Sequence, residues 1–113
     1  MYARQIAGDN DTITIIATEA ITAKRCVAYN GTHTQYLAAV GVALHSTDSG
    51  DPISVGVAPI EVVESGGACT AGAQMEVDSS GRVIDYTSHV IIGRAIDAAT
   101  DAGEFIRVRM FIQ

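Results

Sequence analysis

Gly41-Val42-Ala43-Leu44-His45-Ser46-Thr47-Asp48-Ser49-Gly50-Asp51-Pro52-Ile53-Ser54-Val55 returns, one residue longer, as Gly93-Arg94-Ala95-Ile96-Asp97-Ala98-Ala99-Thr100-Asp101-Ala102-Gly103-Glu104-Phe105-Ile106-Arg107-Val108. Both copies reduce to Gly-x-Ala-(Leu/Ile), a spacer, Thr-Asp-x-Gly-(Asp/Glu), then x-Ile-x-Val. This pattern predicts strand, tight polar turn, strand. Asp in the turn can bond its own backbone, and Gly50 and Gly103 can take a positive φ that other residues resist. Beyond the turn Ile53 and Val55, and Ile106 and Val108, alternate as a half-buried strand requires.

The likeness extends backward along the chain. Thr22-Ala23 runs through Cys26 and Val27 to a turn at Asn30-Gly31, and Thr70-Ala71 runs through Met75 and Val77 to a turn at Asp78-Ser79-Ser80-Gly81. The offset is 48 residues there (70 minus 22) and 52 at the first glycine of the phrase (93 minus 41), so the drift falls in the turns. Two related halves around one core are expected, since a solenoid needs roughly three such repeats.

Around this phrase the remaining strands fall at Thr12 to Ala17, Arg25 to Tyr29, Gln35 to Leu37, and Ile60 to Glu64 before Ser65-Gly66-Gly67. The second half adds Gln74 to Val77, Arg82 to Asp85, Val90 to Ile96 and Glu104 to Ile112. Pro59 cannot donate to a ladder and belongs at a strand edge or bulge. Nowhere do eleven or more residues hold a 3.6-residue period, so helix is limited to a turn or two. The expected fold is all-β, a small β-barrel, β-tulip or sandwich built from two related halves. Residues 1–11 are polar apart from Tyr2 and Ile6 and read as an N-terminal arm; residues 12–113 read as a single β domain with internal duplication.

The 113 residues carry 7 Lys and Arg against 13 Asp and Glu, a net charge of -6. That balance argues against nucleic acid as a partner, because affinity there comes from cations neutralising phosphates. Four of the basic residues are Arg82, Arg94, Arg107 and Arg109, which leaves room for a local basic stripe; solvated arginines on an outer strand face are the plainer reading. No apolar run approaches the roughly 18 residues of a membrane helix, and the first residues lack the apolar centre of a secretion signal. A soluble protein synthesised in a cytoplasm is expected, with no membrane partner. Cys26 and Cys69 lack CxxC spacing and read as small buried hydrophobes, with a disulfide as the minor alternative.

No constellation carries catalysis. Asp9 and Asp11, Asp48 and Asp51, and Asp97, Asp101 and Glu104 sit by turns, none at calcium-loop spacing. His33, His45 and His89 stand singly. No metal or cofactor is expected. Asp48-Ser49-Gly50 resembles the Asp-(Thr/Ser)-Gly signature of homodimeric aspartic proteases, but His45-Ser46-Thr47 replace the apolar residues that would support such a turn. Because Thr-Asp-x-Gly recurs at residues 100–103, a repeated turn accounts for both copies and the protein is expected not to be an enzyme.

In order along the chain, Thr-Ala-x-x-x-Val, Gly-Val-Ala before Ser-Gly-Asp-x-Ile-x-Val, Ser-Gly-Gly-Ala-x-Thr-Ala-Gly, a Val-Asp-x-x-Gly turn and a closing Gly-x-Ala-Ile with Gly-Glu-x-Ile-x-Val span residues 12–110. This series resembles the capsid cement, or head decoration, proteins of tailed bacteriophages. Lys24 departs from it, standing where relatives often have a glycine like Gly72; a blurred first turn with the core unaffected is expected. The resemblance implies a β module on the outside of an expanded icosahedral shell, bound to the major capsid protein and stabilising it, often as a homotrimer. On that reading the arm adds capsid contacts through Tyr2, Arg4, Gln5 and Ile6, with Tyr2 and Ile6 as anchors and Arg4 facing an acidic site. A phage tail or baseplate component, or a carbohydrate-binding module, is the alternative; the aromatic content of 5% weighs against a sugar platform.

Overall fold

The computed structural model describes residues 12–33 and 38–111. Nine strands run through them: β1 (Thr12–Ile16), β2 (Cys26–Ala28), β3 (Ala39–Ala43), β4 (Pro52–Gly56), β5 (Ile60–Glu64), β6 (Gln74–Val77), β7 (Val83–Asp85), β8 (Gly93–Ala95) and β9 (Phe105–Met110). Among the described residues there is no helix. The first half forms a four-stranded antiparallel sheet in the order β1-β4-β3-β2. The second half forms a five-stranded one in the order β5-β9-β8-β6-β7.

The expected strand at Gln35 to Leu37 lies outside the described residues. That at Val90 to Ile96 contracts to β8, because only Gly93, Arg94 and Ala95 find ladder partners on β6 and β9. The Asn30-Gly31 turn forms, with Ala28 N–H donating to Thr32 O at 2.8 Å and a single Val27–His33 bridge behind it. Residues 18–24 form no helical turn; they form a loop tied by the Ile21–Thr47 bridge. Pro59 sits in the bend before β5, where its carbonyl accepts from Met110 N–H at 2.7 Å.

The repeated phrase is repeated in register as well as in residues. Ala43 faces Val55 as Ala95 faces Val108, Val27 faces Gly41 as Met75 faces Gly93, and Ile15 faces Ile53 as Val63 faces Ile106. The bridge Ile21–Thr47 has its match in Cys69–Ala99. Gly50 and Gly103 close the two turns at φ 91° and 89°, as the polar turns predict.

Alternation divides the strands into inner and outer faces. Ala17, Ile21, Val27, Ala43, Ile53 and Val55 fill a core within the first half. A larger core gathers Val63, Met75, Val83, Ile92, Ile106 and Val108 of the second half with Cys26, Ala39 and Val42 of the first. Strands β2 and β3 therefore contribute to both cores, which is why Cys26, Val27 and Ala28 are all buried. Arg25 crosses between the halves, donating from Nε to Glu64 Oε1 at 3.0 Å.

Candidate functional site

The polar residues singled out in the sequence are built into turns. Glu104 Oε2 accepts from the Thr100 hydroxyl at 2.6 Å and from Asp101 N–H at 2.9 Å, capping its own turn, and Asp78 does the same for Ser80 and Arg82 N–H. Asp97 pairs with Arg107, whose side-chain hydrogen bond holds the carboxyl down at about 2. Asp48 lies on an exposed turn, where its carbonyl accepts from Asp51 N–H at 3.2 Å. Among the described residues no three His, Cys, Asp or Glu side chains converge as a metal site.

His33 is buried, with Nδ1 3.1 Å from Cys26 O while Nε2 accepts from Thr22 N–H at 3.2 Å. A proton on Nδ1 satisfies both bonds, so the ring braces the loop before β2. Cys26 and Cys69 are free and buried, and burial pushes their thiols up to about 12 and about 11. Both are therefore thiols and poor nucleophiles, and the minor disulfide reading is set aside.

Glu76 stands out only in the structure. It is fully enclosed, and its Oε1 accepts from the backbone N–H groups of Thr87, Ser88 and His89 at 2.8, 3.0 and 3.2 Å while Oε2 lies 2.7 Å from His89 Nδ1. Burial pushes this carboxyl up, but the bonds from Thr87, the His89 ring and the other N–H groups outweigh it and hold it at about 2. One carboxylate thus organises the whole β7–β8 loop. A single Glu within a short strand carries no sequence signal of such a role.

Two surfaces remain without an internal occupant among the described residues. One is an open apolar groove of about 850 Å³ along the seam of the two sheets, lined by Ile13, Tyr29, Val57, Pro59, Met110 and Phe111 among others. The other is the outer face of β5, β9 and β8. There Ile60 stands opposite Arg109, Val62 opposite Arg107, and Arg94 on the far side of Arg109. Phe105, Ile60 and Val62 are 60%, 51% and 39% exposed. Arg94, Arg107 and Arg109 thus lie side by side as outward strand residues, the plainer reading of the sequence, while Arg82 turns back to Asp78 at 3.3 Å. Arg107 is held by Asp97, and Arg94 donates to Gly72 O at 2.8 Å. Tyr2, Arg4, Gln5 and Ile6 lie outside the described residues.

Comparison with known proteins bears on what such surfaces meet. The family model described as phage cement protein matches residues 6–110. No curated protein matches the chain. Among solved structures, the head fiber gp8.5 N base in bacteriophage phi29 superposes with a TM-score of 0.72 at 19% identity, covering 90% of this chain and 97% of that one. The likeness to that structure is one of fold.

Proposed function

The chain belongs to the phage cement protein family, and on that premise we propose that it is a structural virion protein that binds the outer surface of an expanded phage capsid and stabilises it. The observation that carries this reading is the family match across residues 6–110, almost the whole chain. The architecture suits such a role, since its polar groups are spent on bracing turns and loops and its exposed features are surfaces. The partner is the major capsid protein, and the protein acts as a homotrimer, so that three weak contacts bind as one. Synthesis takes place in the host cytoplasm and the final location is the outside of the virion.

The N-terminal arm contributes to the contact, with Tyr2 and Ile6 as apolar anchors, Arg4 as the ionic partner and Gln5 bonding to backbone. Such a segment can order on an exposed strand edge and add a strand to it. The test is sedimentation of purified protein with expanded, undecorated capsids, alongside its mass by light scattering. Co-sedimentation of a trimer supports the reading, and a protein that stays in the supernatant overturns it. Removal of residues 2–8 is expected to weaken binding at least ten-fold; unchanged binding would end the role of the arm.

A further inference from the structure

The two sheets contain their own control. Because the pairings of β1, β4 and β3 match those of β5, β9 and β8 row for row, the outward positions of these three strands of the second sheet each have a counterpart in the first with the same place in the ladder. Thr12 and Gly56 stand where the second sheet has Ile60 and Arg109, Thr14 and Ser54 where it has Val62 and Arg107, and Ile16 and Pro52 where it has Glu64 and Phe105. Arg94 matches Val42, which is buried beneath the second half. In the first two rows the same ladder is thus built with small uncharged residues in one half and with large apolar and cationic ones in the other, while in the third the exposed Ile16 gives way to Glu64 and Pro52 to Phe105. Strand pairing does not account for that choice. Strand β5 is also the edge of its sheet, where proteins ordinarily place charge or a covering element rather than exposed aliphatics.

We propose that the outer face of β5, β9 and β8 is a docking surface for an acidic protein surface that carries an apolar strip, namely the capsid shell. The inference rests on the capsid reading above. Charge sets the orientation: of the acids on this face Asp97 pairs with Arg107 and Glu64, opposite Phe105, is neutralised by Arg25, which leaves Arg94 and Arg109 in excess on a molecule whose net charge is -6. The Arg109 side chain makes no hydrogen bond or ion pair among the described residues, which leaves its guanidinium for a carboxylate of a partner. An acidic surface would repel most of this molecule and attract this face, so the field selects one way of landing. Ile60, Val62 and Phe105 then supply the area removed from water, and aromatic residues with arginine are the groups enriched where interfaces bind tightly. Duplex DNA fits less well, since phosphates would leave the aliphatic groups uncovered and the acidic remainder would oppose approach.

The experiment is titration of expanded capsids with wild type, with Arg109→Glu, and with the double variant Ile60→Thr, Val62→Thr, which installs the residues found at the matched positions of the first sheet. Bound protein is read by sedimentation, folding by thermal melting, and mass by light scattering. Each variant is expected to bind at least ten-fold more weakly with its melting midpoint and mass preserved. Wild-type binding is expected to weaken as salt rises from about 0.05 M to about 0.5 M, where screening reaches contact range. Wild-type affinity in both variants would overturn the proposal. So would a fall in oligomeric mass with capsid affinity per oligomer intact, which would make the face an interface between copies. Retention of duplex DNA by wild type that Arg109→Glu loses would overturn it in favour of nucleic acid. A wild type that ignores capsids brings down the capsid reading itself, a result distinct from any difference between variants.

Discussion

A Cβ placed on Gly41 would collide with the carbonyl oxygen of Gly56, and one placed on Gly93 with that of Arg109. These are matched positions, the first residue of each copy of the repeated phrase, and in both the neighbouring strand comes too close for any side chain. Gly93→Ala is therefore expected to cost about 1–3 kcal/mol through forced backbone shifts, read as a lower urea midpoint at unchanged slope. Lys24 is the converse case. It takes φ 65° where its match Gly72 takes 84°, and its N–H still bonds Ala43 O as that of Gly72 bonds Ala95 O. The first turn is thus kept rather than blurred, at the strain of a left-handed lysine. Relief of that strain, roughly 1–2 kcal/mol, exceeds the entropy glycine adds to the unfolded chain, about 0.4–1 kcal/mol, so Lys24→Gly is expected to raise the melting temperature by a few degrees. Glu76 adds a pH dependence. Its folded carboxyl sits at about 2 against an ordinary 4.5, so the stability it contributes is complete above about 4.5 and is lost as pH falls toward 2. Glu76→Gln, which keeps the shape but removes the charge facing three N–H groups, is expected to cost about 2–3 kcal/mol at neutral pH and to flatten the acid limb of the stability curve.

Each sheet is made by one half of the chain, and the halves are then joined by few polar links. Arg25 holds Glu64 through two hydrogen bonds of 3.0 and 3.4 Å, both side chains largely covered, and Glu64 N–H donates to Lys24 O at 2.8 Å. Arg25→Ala leaves the Glu64 carboxylate half-buried without its partner; a loss of about 1–3 kcal/mol in chemical unfolding is expected, more than an exposed pair would give. The β-ladders were legible in advance because a repeated phrase constrains itself: Gly-x-Ala and x-Ile-x-Val had to occupy equivalent strands, and alternation chose their inner faces. What escaped was the two-sided burial of β2 and β3, since Cys26 and Val27 alternate like nothing in particular when both faces are covered. The docking face escaped for a related reason. Arg94, Arg107 and Arg109 read as ordinary outward residues until the register set them beside Ile60 and Val62, sequence-distant groups that only strand pairing brings together.

At the scale of the whole molecule, the proposed role is a linkage problem. A ligand stabilises a shell only by binding it more tightly than the states it would otherwise pass into, so cement activity requires preference for the expanded lattice over unexpanded shells and free subunits. Exposed surfaces of modest size suit this, because a face that binds weakly alone gains two to four orders of magnitude when three copies engage a three-fold position together. The geometry each copy needs is then supplied by the lattice, and lost when the lattice contracts. Each occupied site stabilises by RT ln(1 + [L]/Kd), about 2.7 kcal/mol at a hundred-fold excess over Kd. The heat-disruption temperature of expanded capsids is therefore expected to climb with added protein, rising with the logarithm of its free concentration beyond saturation, while unexpanded shells stay unchanged. Calorimetry of both shells across a concentration series checks this. An equal rise in both would mean that binding does not discriminate between lattices, and the protein would be a passenger on the virion rather than its cement.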